Sequence, residues 1–364
     1  MNIIIKNNKE YKLIGFWDYD GFDSKGHKFA LPKEQDEWNG KEYFVSQLTF
    51  VQKLLKEMDH FKTYETKKDC ILCDKKKITT GRYMWKKYLW EDGLEHYITS
   101  HNFQPNEDFL DIIFFFKLDK KIKLKSEIVK QEKTFIKINQ NQLLIMDALM
   151  THGGYTKKYI DLNNKNIMRY SEHTGLLDFK MNILEKIVVA GNTTRVDKGD
   201  DEIFLPRDLT GLKEYEYIFH THPPTPKPGG RVLEGVLYEF PSMGDILHFI
   251  DNFNDGKICG SLVVTSEGLY NIRKINLDRE KLKINEDNMF KDFNNNFYDI
   301  QSKYIKKYST RFTNNIFYKK IAQDLKPIED YNKILNKYEI QVDFYPRIKI
   351  KHNWILDKVY LPIF

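Results

Sequence analysis

The chain has 364 residues and is 41% hydrophobic and 14% aromatic, which is ample for buried cores and typical of two or three domains. Its net charge of +6 is spread along the sequence, so nucleic acid is not a favoured partner. Three cysteines exclude a disulfide framework, and no apolar run reaches membrane-spanning length. We therefore expect a soluble cytoplasmic protein with no membrane partner. The abundance of Lys, Asn, Ile, Tyr and Phe is typical of an AT-rich genome, and for a viral source the host cell or the virion would be the location.

The first region, residues 1–134, is rich in aromatic residues and is expected to form a separate N-terminal domain. The spacing of its apolar residues predicts helices over residues 47–58 and 106–116. A lysine-rich stretch, residues 117–137, follows, and it is typical of a connector or of a strongly solvated helix. We expect this domain to recruit a substrate or a protein partner.

Two cysteines and two histidines in this first region have the spacing of a zinc site. Cys70 and Cys73 are separated by two residues, and His96 and His101 are separated by four. Two thiolates and two imidazoles satisfy the closed tetrahedral coordination of a structural zinc. A redox pair and two ordinary reduced thiols are the alternatives, although the strand-to-helix context of a redox motif is not evident here.

The second region, residues 135–278, alternates strand and helix patterns, which predicts an α/β fold of the α+β type. A broad apolar face predicts a helix over residues 142–150, ended by two glycines. Strands are predicted over residues 135–138, 175–179, 186–190 and 216–220, and a hairpin over residues 262–272.

The third region, residues 279–364, is predicted to be a C-terminal extension of helical and extended segments. Its pattern favours a long polar helix over residues 285–308. Extended, aromatic-rich segments follow around residues 344–346 and 360–362.

The strongest chemical signal is a pair of histidines at the end of an apolar strand. His220 and His222 are two residues apart, so their side chains point to the same side of a strand. Prolines follow directly, which places the pair at the rim of a sheet. A bare pair of this kind is more often explained by chance or by core packing, so the residues that follow decide its interpretation.

Ser242 and Asp245 come after one loop and directly precede an apolar helix. A serine followed three residues later by an acidic residue is typical of a capping box. The same arrangement also fixes a carboxylate in the first helical turn, where it can face the histidine pair. Two imidazoles and one carboxylate are the protein ligands of a catalytic zinc whose fourth position is left for water.

A hydrolytic zinc site also needs a general base, and Glu172 is the candidate. It lies at the predicted start of a strand, with small residues behind it that allow a close approach. Spacing alone leaves four other glutamates open: Glu185, Glu202, Glu214 and Glu216.

Taken together, these residues resemble the JAMM (MPN-plus, JAB1/MPN/Mov34) zinc metalloproteases, many of which are deubiquitinases. The family pattern is Glu-x-x-Gly-Leu-Leu, then His-Ser/Thr-His-Pro, then Ser-x-x-Asp. The chain has Glu172 before Gly-Leu-Leu at 175–177, His220-Thr-His-Pro, and Ser242 before Asp245, in that order. The resemblance covers residues 135–278 and implies a mixed sheet flanked by helices.

By this resemblance, His220, His222 and Asp245 bind a catalytic zinc. Glu172 is the general base, and Ser242 donates to the developing oxyanion. The implied activity is a zinc-dependent isopeptidase that cleaves ubiquitin or ubiquitin-like conjugates. The alternative is a catalytically inactive scaffold of the same fold, or a structural component of a virion. A different metal hydrolase is disfavoured because only two histidines, His248 and His352, follow the pair.

One departure from the family pattern is a longer loop between the histidine pair and the serine. Residues 223–241 are rich in proline and glycine, and their later part, residues 232–240, predicts a short hairpin. We interpret the loop as a flap beside the site. On that interpretation, deleting residues 231–239 alters substrate affinity and leaves zinc bound.

Overall fold

The protein is described by a computed structural model, which divides the chain into two compact units, Met1–Phe135 and Ile136–Phe364. The structure describes residues 2–6, 9–17, 38–117, 134–153, 159–160, 168–190, 194–196, 215–222, 228–256 and 258–363. The fold is mixed α/β, as the sequence predicted. Among these described residues, every helix is too short or too polar to cross a membrane.

The first unit contains a five-stranded sheet. Its strands are β1 (Asn2–Lys6), β2 (Lys9–Ile14), β3 (Phe61–Lys68), β4 (Thr79–Trp85) and β5 (Tyr88–Glu91). Their order across the sheet is β1-β2-β5-β4-β3, and β2 runs parallel to β5 while the other neighbours are antiparallel.

Three helices accompany this sheet: α1 (Lys41–Glu57), α2 (Leu94–His101) and α3 (Glu107–Phe114). One face of α1 is fully buried, and it carries Phe44, Leu48, Val51 and Leu55. These residues recur every three or four positions, which is the period of a helix. The predicted helices over residues 47–58 and 106–116 are therefore confirmed, and α1 begins six residues earlier than predicted.

The second unit is built on an eight-stranded mixed sheet. The strands are β6 (Thr134–Ile138), β9 (Thr174–Lys180), β10 (Ile183–Val189), β12 (Tyr217–Thr221), β13 (Gly260–Val264), β14 (Gly268–Lys274), β15 (Ile340–Pro346) and β18 (Val359–Ile363). Their order is β15-β14-β13-β12-β9-β10-β6-β18. β12 lies inside the sheet, antiparallel to β9 and parallel to β13, and all five of its residues are buried. The predicted strands and the predicted hairpin are confirmed.

Shorter strands form two further sheets in this unit. The first contains β7 (Tyr159–Ile160), β8 (Met168–Ser171) and β11 (Thr194–Val196). The second is the hairpin of β16 (Ile348–Ile350) and β17 (Asn353–Ile355).

Helices cover both faces of the main sheet. The helices of this unit are α4 (Gln140–Gly153), α5 (Met243–Asp255), α6 (Glu286–Tyr308), α7 (Asn314–Ile316) and α8 (Lys326–Leu335). Successive residues of β13 point to opposite faces: Leu262 and Val264 join one apolar cluster, and Val263 joins the other. Complete burial of such a side chain contributes about 1.5–3 kcal/mol. The helices predicted over residues 142–150 and 285–308 are confirmed as α4 and α6.

Two sequence expectations differ from the observed fold. The region after residue 279 supplies β15 and β18, which lie at the two edges of the main sheet, so it is part of the second unit. Residues 232–234 form a 3₁₀ turn, and no strand is present among the described residues 228–242, so the predicted hairpin is wrong. Most of the predicted connector, residues 118–133, and residues 223–227 of the loop lie outside the described residues.

Candidate metal centre

The two histidines lie at the end of β12, in the interior of the main sheet. Tyr, Ile, Phe and Thr favour a strand, and here the strand is buried on both faces. His220 lies within β12 and is 2% exposed, whereas His222 follows it, and its side chain is 16% exposed. The backbone N–H of His222 donates to the carbonyl of Val264, so the residue is still held by the neighbouring strand.

Asp245 completes the group from the first turn of α5. Its Oδ1 lies 3.0 Å from Nε2 of His220, and its Oδ2 lies 3.3 Å from Nε2 of His222. The two Nε2 atoms are 3.3 Å apart. The predicted convergence of His220, His222 and Asp245 is therefore present, and the three donor atoms lie within 4.8 Å of one another.

The capping box of α5 fixes that carboxylate. The Asp245 carboxylate accepts the backbone N–H of Ser242 at 2.6 Å, and Ser242 Oγ accepts the backbone N–H of Asp245 at 3.2 Å. Both interpretations of Ser-x-x-Asp thus hold at once: the pair caps the helix and presents the carboxylate to the histidines. Because Ser242 Oγ already accepts a hydrogen bond there, its own hydrogen remains available to donate elsewhere.

The ring of His222 is oriented by a residue that the sequence did not indicate. Its Nδ1 donates to the backbone carbonyl of Glu239 at 3.3 Å. A carbonyl can only accept, so this contact keeps a hydrogen on Nδ1 and makes Nε2 the nitrogen that can coordinate a metal once its own proton is displaced. A backbone acceptor has no side-chain signature, which is why sequence reasoning missed Glu239.

The charges of the three groups are strongly coupled. Burial lowers the pKa of His222, but the hydrogen bond to Asp245 and the charges of Asp245, Glu172 and Glu239 outweigh it and raise the pKa to about 9. Burial also raises the pKa of Asp245, yet the two histidines bring it well below its usual range. The group therefore has the charge pattern of an ion pair, and a bound cation has to displace the His222 proton.

This donor set fits a divalent metal ion. Two imidazole nitrogens and one carboxylate oxygen are ligand types shared by several transition metals. The carboxylate is ionised, and one histidine has its tautomer fixed for coordination through Nε2. With only three donors in the group, the described residues leave at least one coordination position to a water or a substrate.

Glu172 lies beside the histidines because of the strand register. Thr174 of β9 pairs with His220, and the backbone N–H of Thr221 donates to His173 at 2.9 Å, which brings residue 172 opposite residue 222. Glu172 is 8% exposed, and its charge is one of those that raise the pKa of His222. The structure thus brings the predicted base to the candidate centre.

Gly175 explains part of this close approach. A Cβ atom at this position would collide with the carbonyl oxygen of Val188 and the ring of Phe219. A glycine therefore lets β9 lie tightly against its neighbours, three residues after Glu172. This is the steric role of Gly175 in this chain.

Two of the four other glutamates are engaged elsewhere. Glu185 accepts from Lys180 in an exposed pair at 3.2 Å. Glu216 accepts the backbone N–H of Phe179 at 3.1 Å. Glu202 and Glu214 lie outside the described residues.

The second predicted group, in the first unit, also converges. Cys70 Sγ lies 3.4 Å from Nε2 of His101, and Cys73 Sγ lies 3.4 Å from Nε2 of His96. All four donor atoms lie within 4.8 Å of one another. The cysteines come from the loop between β3 and β4, and both histidines come from α2. All three cysteines of the chain are free thiols.

The electrostatics of this second group suit a cation. Burial raises the pKa of Cys70, but hydrogen bonds from the backbone N–H groups of Leu72 and Cys73 bring it below its usual value. Burial and the nearby charges of His101 and Lys75 lower the pKa of His96. A thiolate and a neutral imidazole are the forms that bind a metal.

Fold and side-chain placement thus define a mixed α/β protein with two groups of residues that could bind a metal. An uncharacterized protein of Acanthamoeba polyphaga mimivirus is 31% identical over 334 residues, which cover 88% of this chain and 93% of the mimivirus protein. The chain belongs to the family of that mimivirus protein. No family model matches the chain, and no solved structure matches it.

Proposed function

We propose that the protein is a zinc-dependent isopeptidase that acts at the centre formed by His220, His222 and Asp245. The observation that supports this most directly is the convergence of these three side chains with Glu172 beside them. Zinc bonds of about 2.0–2.1 Å in a tetrahedral arrangement separate the ligand atoms by roughly 3.3 Å. The observed separations of 3.0 to 3.3 Å agree with that value.

Zinc in such a site supplies an activated water at neutral pH. The carboxylate of Glu172 accepts a proton from the attacking water and later transfers it to the leaving amine. Ser242 Oγ donates its hydrogen to the substrate carbonyl oxygen as negative charge develops there. The two hydrogen bonds of the capping box hold Asp245 and Ser242 in place. Neither side chain therefore has to rearrange during the reaction.

The motif is what supports the proposed substrate class. The order Glu-x-x-Gly-Leu-Leu, His-Thr-His-Pro, Ser-x-x-Asp resembles the JAMM metalloproteases, whose typical substrates are isopeptide bonds to ubiquitin. The JAMM/MPN fold is proposed on the same basis: the histidines lie at the end of β12, inside a mixed sheet, and α5 follows with the aspartate.

A cleavage assay on linkage-defined di-ubiquitin tests the activity. We expect the zinc-loaded wild type to cleave and Glu172→Gln to be about 10²–10⁴-fold slower, because the amide cannot accept the proton. Zinc content should be equal in the two proteins, since Glu172 is not a ligand. Equal rates would remove Glu172 from the mechanism, and a zinc-loaded wild type that cleaves no conjugate would favour the non-catalytic scaffold.

We also propose that Cys70, Cys73, His96 and His101 hold a second, structural zinc. Four protein donors close the tetrahedral shell and leave no position for water. The backbone N–H of Leu72 donates to Cys70 Sγ at 3.4 Å, and the hydroxyl of Ser100 lies 3.2 Å from Nδ1 of His96. Contacts of this kind orient zinc ligands from outside the coordination shell.

Metal analysis of the full chain tests both sites together. We expect two zinc ions per chain in the wild type, one in Cys70→Ser and one in His222→Ala. Cys259→Ser is the matched control and should keep two, because Cys259 belongs to neither group. A single zinc in both wild type and Cys70→Ser would contradict the structural site.

A further inference from the structure

We propose that Glu267 is a positioning residue for the metal ligand His222 and that it acts through the backbone of Glu239. The inference rests on the proposed metal centre. It adds to that centre a residue whose side chain hydrogen-bonds to Glu239, Ser266 and Tyr270 and not to a metal ligand, and that lies 45 positions beyond His222 in the chain.

The first step of the argument is a chain of hydrogen bonds that ends at the His222 ring. Glu267 Oε1 accepts the backbone N–H of Glu239 at 2.5 Å. The carbonyl of Glu239 in turn accepts from Nδ1 of His222 at 3.3 Å. The contact at Nδ1 decides which ring nitrogen is free for coordination, so the position of residue 239 affects the ligand directly.

The second step is that the peptide bond before Glu239 is held at both ends. The carbonyl of Tyr238 accepts from Nε2 of Gln301 at 2.8 Å, and the N–H of Glu239 donates to Glu267. These two contacts fix the path by which the chain enters residue 239. The side chain of Glu239 also pairs with Arg231, but that pair is one-third exposed on the arginine side and is therefore weak.

The third step is that Glu267 is itself rigidly placed. Its side chain is fully buried and also accepts from the hydroxyls of Tyr270, at 3.1 Å, and Ser266, at 3.2 Å. Arg347 donates to the carbonyls of Thr265 and Ser266, both at 2.8 Å, and so anchors the turn between β13 and β14.

The same turn is tied to His222 by a second route. Val264, the last residue of β13, accepts the backbone N–H of His222 at 2.9 Å. The end of β13 therefore holds the backbone of His222 at Val264, and the turn that follows it holds the ring by way of Glu267 and Glu239. Burying a carboxylate costs free energy even where hydrogen-bond donors surround it. The orientation of His222 gives this buried group a function.

Zinc affinity of the full chain, measured by competition with a chelator, tests the proposal. Glu267→Leu and Glu267→Gln have similar volumes, but only the glutamine can accept the N–H of Glu239. We expect the leucine variant to bind zinc at this centre about 10–100-fold more weakly than wild type, which is the usual effect of losing a contact behind a ligand. Glu267→Gln should bind close to wild type. Asp245→Ala lacks a ligand of this centre but keeps the second zinc group. The zinc binding that wild type shows and Asp245→Ala does not is therefore assigned to this centre.

Two further variants keep the test decisive. Ser266→Ala removes the donor to Oε2 of Glu267 but leaves Oε1 held by Tyr270 and Glu239, so it should keep an affinity close to that of wild type. Glu267→Asp withdraws the carboxylate by one methylene and should weaken binding and shift the visible absorption of the cobalt(II)-loaded centre, even if the leucine variant does not fold.

The outcomes separate this inference from the proposed function. Wild-type affinity and an unchanged cobalt spectrum in both Glu267→Leu and Glu267→Asp would overturn the positioning role and leave the metal centre intact. A wild type that binds no metal here would overturn both proposals. A wild type that binds zinc and cleaves no isopeptide would contradict only the substrate, since the affinity comparison does not depend on cleavage.

Discussion

The carboxyl group of Glu267 has no solvent exposure, and its burial makes the stability of the folded protein depend on pH. Burial and the charge of Glu239 raise the pKa of Glu267 from 4.5 to about 7, although three hydrogen-bond donors favour its ionised form. The folded state therefore holds a proton between about pH 4.5 and pH 7 that the unfolded state has released. Stability from this group is greatest below pH 4.5 and is lost as the pH rises through 7.

Because this contribution to stability is lost as the pH rises, we predict a pH-dependent effect of Glu267→Gln. The amide resembles the protonated carboxyl and does not titrate, so the variant should be more stable than wild type at pH 8, by up to about 3 kcal/mol, and similar to it at pH 4.5. Urea unfolding at the two pH values measures the difference. Glu234→Gln, at an exposed position in the same unit, is the control and should show no pH-dependent gain. A constant difference at both pH values would contradict the pKa of Glu267.

Other residues of the centre were accessible from the sequence because each has a local signature. His220 and His222 share a strand face by their spacing, and Ser242 and Asp245 have the spacing of a capping box. Glu172 was found through a pattern whose glycine has a steric reason. Glu239 and Glu267 were not predicted, because one acts through its backbone and the other acts on that backbone.

At the scale of elements, the helices and strands with a strong period were predictable. α6 is an example: Asn285 accepts the backbone N–H of Asn288 and begins the helix at the predicted position. α8, with a buried face that includes Ile328 and Tyr331, was not recognised within the predicted extension. The five-stranded sheet of the first unit was also missed, because aromatic richness alone gives no strand period.

The error in the loop before Ser242 has a specific physical reason. The apolar residues in its later part, residues 232–240, suggested a hairpin, but Leu237 and Tyr238 are buried against the C-terminal helices instead. Their backbone N–H groups donate to Oε1 of Gln301, at 3.0 and 3.2 Å, so a side-chain amide replaces the missing partner strand. No local pattern in the loop could indicate a partner more than sixty positions away.

At the scale of the whole second unit, the last eighty or so residues complete the fold that carries the centre. β15 and β18 lie at the edges of the main sheet, and Arg347 joins α4 to the β13–β14 turn through a bidentate pair with Asp147. The hydroxyl of Tyr331 donates to the carbonyl of Pro241 at 2.6 Å, directly before the cap of α5. The C-terminal helices therefore support the same loop that supports His222.

This integration revises the expectation for the loop. We now expect deletion of residues 231–239 to abolish zinc binding at the His220–His222–Asp245 centre, because it removes Glu239 and the buried Leu237 and Tyr238.

Gln301→Leu is a milder variant than this deletion. It leaves two buried N–H groups and a carbonyl unpaired and should cost about 3 kcal/mol of stability. Its zinc affinity should fall with it, since the peptide before Glu239 is released at one end. Thermal unfolding and chelator competition measure the two effects, and Leu233→Ser, at an 86% exposed site in the same loop, should change neither. Zinc bound at wild-type affinity after the deletion would restore the interpretation of the loop as a flap.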